Sequence, residues 1–244
     1  MSGYPPAAMR TLPGDAGGDL RPPLAVFFDL DGTLADTAAD LVAPVQAMRA
    51  ERGLAPLPLE VLRPYASMGA RGLLLKGLGV EREDPRFEAL RDEFLQRYEA
   101  AMNVHTCLFP GIAEVLDALD DAAIRWGVIS NKIERLVAPI LASLGVLERA
   151  VCAIGGDTTG FAKPHPEPLL HGARIAGVQA EGCIYVGDDL RDILAGRAAR
   201  MRTIAAAYGF CGEDSPPQSW GADAIVRGPG ELIELLGLRR ALPT

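Results

Sequence analysis

Polar side chains follow four apolar runs of the sequence, at the points where each run ends. The first run is followed by Asp29 and Asp31, the next by Ser130, and later runs lead to Lys163 and to Asp188. Asn131 and Lys132 stand beside Ser130, Asp157 precedes Lys163, and Asp189 and Asp192 follow Asp188. Carboxylates, a hydroxyl and an ammonium together could bind a metal and a phosphate, and could attack or protonate a substrate.

Several carboxylates at one edge of a domain need a positive partner, because like charges a few Å apart do not all stay ionised without one. Oxygen ligands with no nearby His or Cys favour a hard ion, and Mg²⁺ commonly takes one or two carboxylates together with waters and substrate phosphate. Ser130 and Lys163 offer donors that suit a phosphate oxygen. The residues therefore predict a site for a phosphomonoester and Mg²⁺.

The elements that must position these residues alternate between strands and helices. Strands are predicted at Leu24–Phe28, Ile124–Ser130, Ala150–Gly156, Cys183–Asp188, Arg202–Ala207 and Ala222–Val226. Helices are predicted at Ile112–Leu119, Ile133–Leu144, Pro168–Ala176, Leu190–Ala199 and Gly230–Leu238. This pattern predicts an α/β, Rossmann-like, mostly parallel sheet with helices on both faces. Ligands of such sheets bind at the carboxyl ends of the strands, where the polar residues stand.

The interval 38–106 interrupts the alternation with helical patterns and no convincing strand. Asp84 is predicted as the N-cap of an amphipathic helix that starts at Pro85. Thr37 and Asp40 suggest a capping box for another helix, which Pro44 should kink or delay. The predicted organisation is a flexible leader over residues 1–23, an α/β core over 24–37 and 107–244, and a small all-helical cap over 38–106.

Composition narrows the function classes. The formal charge is −8, with 32 acidic and 24 basic residues and no Lys/Arg stripe, so nucleic acid is a poor partner. No stretch reaches the ~18 apolar residues of a membrane span, and the leader lacks the apolar core of a signal peptide. The four cysteines have no metal or disulfide spacing and read as reduced thiols. We expect a cytoplasmic monomer or homodimer acting on a small molecule.

Four motifs resemble, in order and spacing, those of the haloacid dehalogenase-like hydrolase superfamily. They are FDLDGTLADT, VISNK, KPHPEPLL and VGDDLRDI. The resemblance spans Leu24 to Leu238, and the helical interval resembles that superfamily's cap between its first and second motifs. It implies that Asp29 is the nucleophile that forms an aspartyl-phosphate. Asp31 would be the general acid and base, with its backbone carbonyl on the metal.

The remaining motif residues receive roles from the same resemblance. Ser130, Asn131 and Lys163 would bind the phosphoryl group, although Asn131 could equally be a helix N-cap. Asp188 would complete a Mg²⁺ site with Asp29 and Asp31. Asp192, one helical turn later, would lie behind these ligands or replace one. Asp189 is predicted as an N-cap, and Asp36 as a residue that helps to start the cap.

Substrate choice is expected to lie in the cap. The stretch SMGARGLL, Ser67 to Leu74, is predicted as a flexible segment in which Arg71 could meet a carboxylate or a sugar oxygen. An aspartate at position 31 implies phosphoester hydrolysis or phosphoryl transfer between sugar hydroxyls. The central motifs resemble phosphoglycolate phosphatases, the favoured subfamily. The cap and tail resemble N-acetylmuramic acid 6-phosphate phosphatases; a sugar phosphomutase and a non-catalytic phospholigand-binding module remain alternatives.

Overall fold

The computed structural model describes residues 22–212 and 215–238. The predicted leader, residues 1–23, lies almost wholly outside them. The strands, in chain order, are β1 (Ala25–Phe28), β2 (Ala35–Asp36), β3 (Cys107–Leu108), β4 (Arg125–Ile129), β5 (Ala153–Ile154), β6 (Cys183–Gly187), β7 (Arg202–Ala206) and β8 (Ala224–Val226). The helices are α1 (Ala38–Glu51), α2 (Leu59–Ala66), α3 (Gly69–Leu78), α4 (Phe87–Ala101), α5 (Ile112–Asp121), α6 (Glu134–Ser143), α7 (Glu167–Ala176), α8 (Leu190–Ala198) and α9 (Gly230–Leu235).

The main sheet of the described chain has six strands in the order β5-β4-β1-β6-β7-β8. Every neighbouring pair in it is parallel. The chain moves outward from β1 through β4 to β5, and then continues on the other side of β1 with β6, β7 and β8. Strand order therefore reverses at β1, the position at which open α/β sheets bind ligands. The predicted parallel α/β fold is confirmed.

The side chains of β1 alternate between two hydrophobic clusters, one on each face of the sheet. Val26 and Phe28 pack with residues of α5, α6 and α9, whereas Ala25 and Phe27 pack with residues of α7 and α8. All four are fully buried. Burial on both faces explains why the strand reads as a continuous apolar run rather than as an alternating one.

Four helices, α1 to α4, fill the interval between the two short strands β2 and β3. These strands pair antiparallel, with Ala35 opposite Leu108 and Asp36 opposite Cys107. The pair brings the entry and the exit of the helical segment together beside the end of β1. The four helices lie inside the interval predicted for the cap, and the division into domains stays a prediction.

The predicted capping box at the start of α1 is wrong. Thr37 is the N-cap residue but makes no side-chain capping bond; its hydroxyl donates to Asp31 at 2.6 Å. The carboxylate of Asp40 instead accepts hydrogen bonds from His105 and Thr106, at the far end of the cap. Partners distant in sequence thus replace the local pair. Pro44 lies inside α1, which begins at Ala38 without delay.

Two further cap predictions are corrected. Helix α4 begins at Phe87, not at Pro85, and Asp84 instead accepts from the backbone N–H of Arg86 and pairs with its guanidinium. The SMGARGLL segment is also not a flexible loop, because α3 begins at Gly69. Gly69 adopts φ +58°, so one glycine makes the turn between α2 and α3.

All four cysteines, Cys107, Cys152, Cys183 and Cys211, are free. Burial raises the pKa of Cys152 to about 12. Among the described residues no helix combines the length and the apolar character that crossing a bilayer requires.

We expect Asp40→Asn to lower the free energy of unfolding by about 1–3 kcal/mol, since the new amide would place N–H groups against the donors of His105 and Thr106. Asp40 is only 3% exposed, so water cannot replace the lost acceptor. Urea unfolding followed by circular dichroism measures the change. Asp121→Asn, at an exposed position, is the control and should stay within about 0.5 kcal/mol of the parent. Equal stability of the two variants would contradict the role of Asp40.

Candidate active site

The carboxyl ends of three adjacent strands bring the predicted site residues together. Asp29 follows β1, Ser130 follows β4 and Asp188 follows β6. The backbone ladder continues one residue past the strands, since Asp29 N–H donates to Val186 and Ser130 N–H donates to Ile154, both at 2.9 Å. These backbone bonds fix the two side chains at the floor of a cavity of about 370 Å³. The cavity lies between the sheet and the helical segment.

Lys163 is the cation at the centre of the floor. Its ammonium lies 2.9 Å from Asp29 Oδ1 and 2.7 Å from Asp192 Oδ1. It also donates to the Tyr185 hydroxyl and to the Ile129 carbonyl. Burial acts against the charge of Lys163, but the carboxylates of Asp192 and Asp29 outweigh it, and its pKa stands well above the ordinary value. Lys163 therefore stays charged.

Asn131 holds the backbone of Lys163. Its side-chain N–H donates to the Lys163 carbonyl at 2.9 Å, and its side-chain oxygen accepts from the Lys163 N–H at 2.8 Å. Phosphate binding by this amide would require breaking that clamp. The alternative that Asn131 caps a helix is wrong, because Ile133 is the N-cap of α6. Ser130 is 4% exposed and lines the cavity beside it.

Three carboxylates form a buried group that could hold a metal ion. Oxygens of Asp29, Asp188 and Asp192 all lie within 4.8 Å of one another. Burial, and then the charges of Asp29 and Asp192, raise the pKa of Asp188 well above its ordinary value. One ammonium against three carboxylates leaves negative charge in excess. An all-oxygen donor set with excess negative charge fits a divalent hard cation such as Mg²⁺.

The carboxylates of Asp188 and Asp192 are both engaged at each oxygen, but they differ in the charge of their partners. Asp188 accepts from the Thr33 hydroxyl at 3.0 Å and from the Phe210 N–H at 2.8 Å. Asp192 pairs with the Lys163 ammonium through Oδ1 and accepts from the N–H of Asp189 through Oδ2, so a charged donor already occupies it, whereas the donors to Asp188 are neutral. This arrangement suits the predicted place of Asp192 behind the metal ligands. The prediction that Asp189 is an N-cap is confirmed, since it caps α8.

Gly32 allows the turn after β1 to approach Asp188. Its φ is +88°, and a Cβ at this position would clash with the Asp188 carboxylate. Only glycine meets both requirements. The sequence Asp31-Gly32 is therefore a turn as well as a part of the site.

Asp31 is held by two donors on one side of the cavity. The Thr37 hydroxyl lies 2.6 Å from its Oδ1, and the Lys132 ammonium lies 3.1 Å from each of its oxygens. The Lys132 ammonium also lies 4.6 Å from the ring centroid of Tyr98, a residue of α4. Burial disfavours the Lys132 charge, but Asp31 and Tyr98 outweigh this effect and raise its pKa.

Lys132 is a site residue that the motif assignment did not include. It directly follows Ser130 and Asn131 in the VISNK motif. Its position at the end of a strand is the sequence feature that could have identified it as a site residue. Its contact with Asp31 crosses 101 positions of sequence, a pairing that no local pattern contains.

The helical segment contributes a second set of residues. Ser67, in the turn before α3, has its hydroxyl 3.4 Å from Asp188 and its carbonyl 2.7 Å from the Arg191 guanidinium. Arg71 is exposed and lines a neighbouring groove instead of the main cavity. Asp36 accepts from the N–H of Ala38 at the start of α1 and pairs with Arg63. Asp36 thus lies where the cap begins, apart from the metal group.

Comparison with known proteins places this arrangement in a family. The family model described as Haloacid dehalogenase-like hydrolase matches residues 26–206, a span that runs from β1 to β7 and includes the candidate site. The chain belongs to the haloacid dehalogenase-like hydrolases.

Curated relatives narrow the class further. A protein of Xanthomonas campestris pv. campestris named phosphoglycolate phosphatase is 47% identical over 215 residues, covering 88% of this chain and 97% of that protein. A Pseudomonas putida protein named N-acetylmuramic acid 6-phosphate phosphatase is 42% identical over 212 residues, covering 87% and 95%. Within the family the chain is accordingly one of the phosphatases, as the sequence predicts.

Solved structures agree with the fold. The structure of CbbY from Rhodobacter sphaeroides in complex with phosphate aligns with a TM-score of 0.70 at 24% identity, covering 88% of this chain and 100% of that chain. A haloacid dehalogenase-like family protein of Streptococcus pneumoniae aligns with a TM-score of 0.73 at 21% identity, covering 86% and 96%.

We expect Lys132→Met to lower kcat at least about tenfold, because Asp31 loses a buried partner of opposite charge while the side chain keeps its length. Steady-state hydrolysis of p-nitrophenyl phosphate measures the effect, and circular dichroism checks the fold. Lys76→Met is a matched control, since Lys76 also lies over a tyrosine ring, that of Tyr65, at 4.8 Å, but outside the cavity. A kcat unchanged by Lys132→Met would show that Lys132 does not support Asp31.

Proposed function

We propose that this phosphatase is a Mg²⁺-dependent phosphomonoesterase that works through an aspartyl-phosphate on Asp29. One observation carries the proposal: Asp29 lies 2.9 Å from the buried ammonium of Lys163, while Asp31, two residues later, lines the same cavity. A carboxylate nucleophile, a phosphate-binding cation and a second carboxyl for proton transfer are thus in one place. These are the parts that a two-step displacement at phosphorus needs.

In the first step a carboxylate oxygen of Asp29 attacks phosphorus, and the bond from phosphorus to the leaving oxygen breaks. Asp31 donates a proton to that oxygen, so the alcohol leaves neutral. In the second step Asp31 takes a proton from water, which attacks the phosphoryl group and frees Asp29. Ser130 and Lys163 bind the phosphoryl oxygens in both steps, and their donors stabilise charge on those oxygens.

Mg²⁺ would be held by the carboxylates of Asp29 and Asp188 and by the backbone carbonyl of Asp31. When bound, it supplies positive charge that neutralises the phosphoryl oxygens and the nearby carboxylates. Asp192 orients Lys163 behind this group. We place the enzyme in the cytoplasm, in keeping with its free cysteines, where it acts on a small phosphorylated metabolite as a monomer or homodimer.

Two substrates are candidates. Phosphoglycolate, favoured by the central motifs, is supported by the name of the 47% identical relative. N-Acetylmuramic acid 6-phosphate is supported by the name of the 42% identical relative and by the cavity. The cavity volume of about 370 Å³ lies in the range of roughly 300–1,000 Å³ that encloses drug-sized ligands. A glycolate leaving group needs less space than this. The geometry therefore favours the phosphorylated sugar.

A sugar phosphomutase would use the same aspartyl-phosphate but return the phosphoryl group to the substrate, whereas a phosphatase releases inorganic phosphate. In a non-catalytic binding module, Asp29 and Asp31 would have no role as nucleophile or as acid and base. Phosphate release with Mg²⁺ from phosphoglycolate and from N-acetylmuramic acid 6-phosphate decides among these. We expect release from both, with the higher kcat/KM for the sugar; isomerisation without release would identify a mutase.

We expect Asp29→Asn to lower kcat by at least about a thousandfold, because an amide cannot form the acyl phosphate. Acid quenching of the parent enzyme during turnover, followed by mass spectrometry, should find a phosphoryl group on the peptide that contains Asp29. Asp36→Asn, in the same motif but outside the site, is the control and should retain activity. Substantial turnover by Asp29→Asn would exclude Asp29 as the nucleophile.

Removal of the metal gives an independent prediction. Excess EDTA should abolish phosphate release, and added Mg²⁺ should restore it, because the buried carboxylates and the substrate phosphate need a common counterion. Asp188→Asn should raise the Mg²⁺ concentration required for half-maximal activity by about tenfold or more. Activity that persists undiminished in excess EDTA would contradict the metal assignment.

A further inference from the structure

The cavity has two chemically different walls. The core wall carries the acids and bases described above. The cap wall is mostly apolar, with side chains of Leu41, Met68, Phe94 and Leu95, and its uncharged polar groups are the hydroxyls of Ser67 and Tyr98. Among the described residues that line the cavity, Arg91 of α4 is the charged residue that the cap supplies. A charged side chain on a mostly apolar wall is placed to fix the orientation of a ligand.

The cations of the core wall are already committed to carboxylates of the site. Lys163 is paired with Asp29 and Asp192, and Lys132 with Asp31. Arg191 is paired with Asp189, and its pKa is raised because this pairing outweighs burial.

Arg91 is paired differently. Its partners are Glu88 and Asp92, whose side chains are 68% and 60% exposed. Such surface pairs contribute only about 0–1 kcal/mol, so a ligand can displace them at little cost. Arg91 is therefore the cation that an incoming anion can recruit without disturbing the catalytic groups.

The position of Arg91 along α4 sets the distance to the chemistry. Tyr98, seven residues later on the same helix, contacts Lys132 next to Asp31. Seven residues of α-helix span about 10 Å, and helical side chains lean toward the N-terminus, so Arg91 leans further away. The carboxylate of glycolate lies only a few bonds from phosphorus and stays near the core wall. Arg91 suits an anion on the far side of a larger leaving group.

We propose that Arg91 binds a carboxylate of the substrate that is remote from its phosphate, so that the preferred substrate is a phosphorylated sugar acid. This inference rests on the proposed phosphatase function and narrows its substrate class. In N-acetylmuramic acid 6-phosphate the lactyl carboxylate is carried by O3 and the phosphate by O6, so the ring carbons C3 to C5 separate the two anions. The planar guanidinium can bond such a carboxylate through two parallel N–H groups. The carboxylate then holds the sugar while Asp29 and Asp31 act on the phosphate.

The test compares two substrates that differ in this carboxylate. The Mg²⁺-loaded parent enzyme, Arg91→Gln and Arg97→Gln are assayed with N-acetylmuramic acid 6-phosphate and with N-acetylglucosamine 6-phosphate, which lacks the lactyl group. Arg97 is the matched control, because it is also an arginine of α4 with acidic partners, Glu51 and Glu93, but does not line the cavity. Arg71→Gln tests the arginine that the sequence favoured.

We expect Arg91→Gln to raise KM for N-acetylmuramic acid 6-phosphate by about 10- to 100-fold, with kcat nearly unchanged, since a charged hydrogen-bonded pair is lost far from the reacting atoms. The same variant should leave N-acetylglucosamine 6-phosphate unaffected. Arg97→Gln should change neither substrate, and Arg91→Lys should recover part of the affinity.

Three results with the variants would overturn the inference: no change in Arg91→Gln, an equal loss with both sugars, or a selective loss in Arg71→Gln instead. Failure of the proposed phosphatase function would give a different experimental result. If the parent enzyme with Mg²⁺ released phosphate from neither sugar phosphate nor from p-nitrophenyl phosphate, the phosphatase assignment would fall, and this inference with it. Equal release from both sugars by the parent would refute the role of Arg91 alone.

Discussion

The buried ion cluster around Lys163 is the interaction on which the rest of the site depends. A lysine that is 4% exposed tolerates its charge only because Asp29 and Asp192 lie within 2.9 Å of it, and these carboxylates tolerate burial only because the lysine is there. Removing the lysine would leave the buried carboxylates of Asp29 and Asp192 without their counter-charge. The cluster therefore fixes three segments that are far apart in sequence: the end of β1, the loop before α7, and the first turn of α8.

The same cluster explains why the neighbouring residues are so closely specified. Asn131 fixes the backbone of Lys163 through two hydrogen bonds, so β4 as well as β1 determines where the ammonium lies. Gly32 and Gly209 both approach Asp188 too closely to admit a Cβ. Negative charge is still in excess once Lys163 is counted, which leaves the site suited to a divalent cation and to a phosphate that brings its own charge.

The fold and the floor of the site could be predicted from the sequence because both depend on local patterns. An apolar run that ends in a polar residue marks a buried strand and its carboxyl end, and parallel strands bring those ends together. Asp29, Ser130 and Asp188 follow from this logic alone. The hydrogen-bond partners of individual side chains could not be predicted in this way. Thr37 looked like a helix cap but bonds Asp31, and Asp40 looked like part of a capping box but holds His105 and Thr106.

The cap residues show the same limit more clearly. They also suggest how phosphate binding and substrate selection are divided between the core and the cap. Arg71 was favoured for substrate contact because it stands in a glycine-rich stretch, yet that stretch is helical and the side chain lines a different groove. Arg91 lies in a plainly amphipathic helix and gives no local sign of a role, because only the packing of α4 over the strand ends brings it to the cavity. In the proposed function, core residues bind the phosphoryl group that all phosphomonoester substrates share. The leaving group then faces the opposite wall, and for this reason we propose that Arg91 affects substrate choice without touching the reacting atoms.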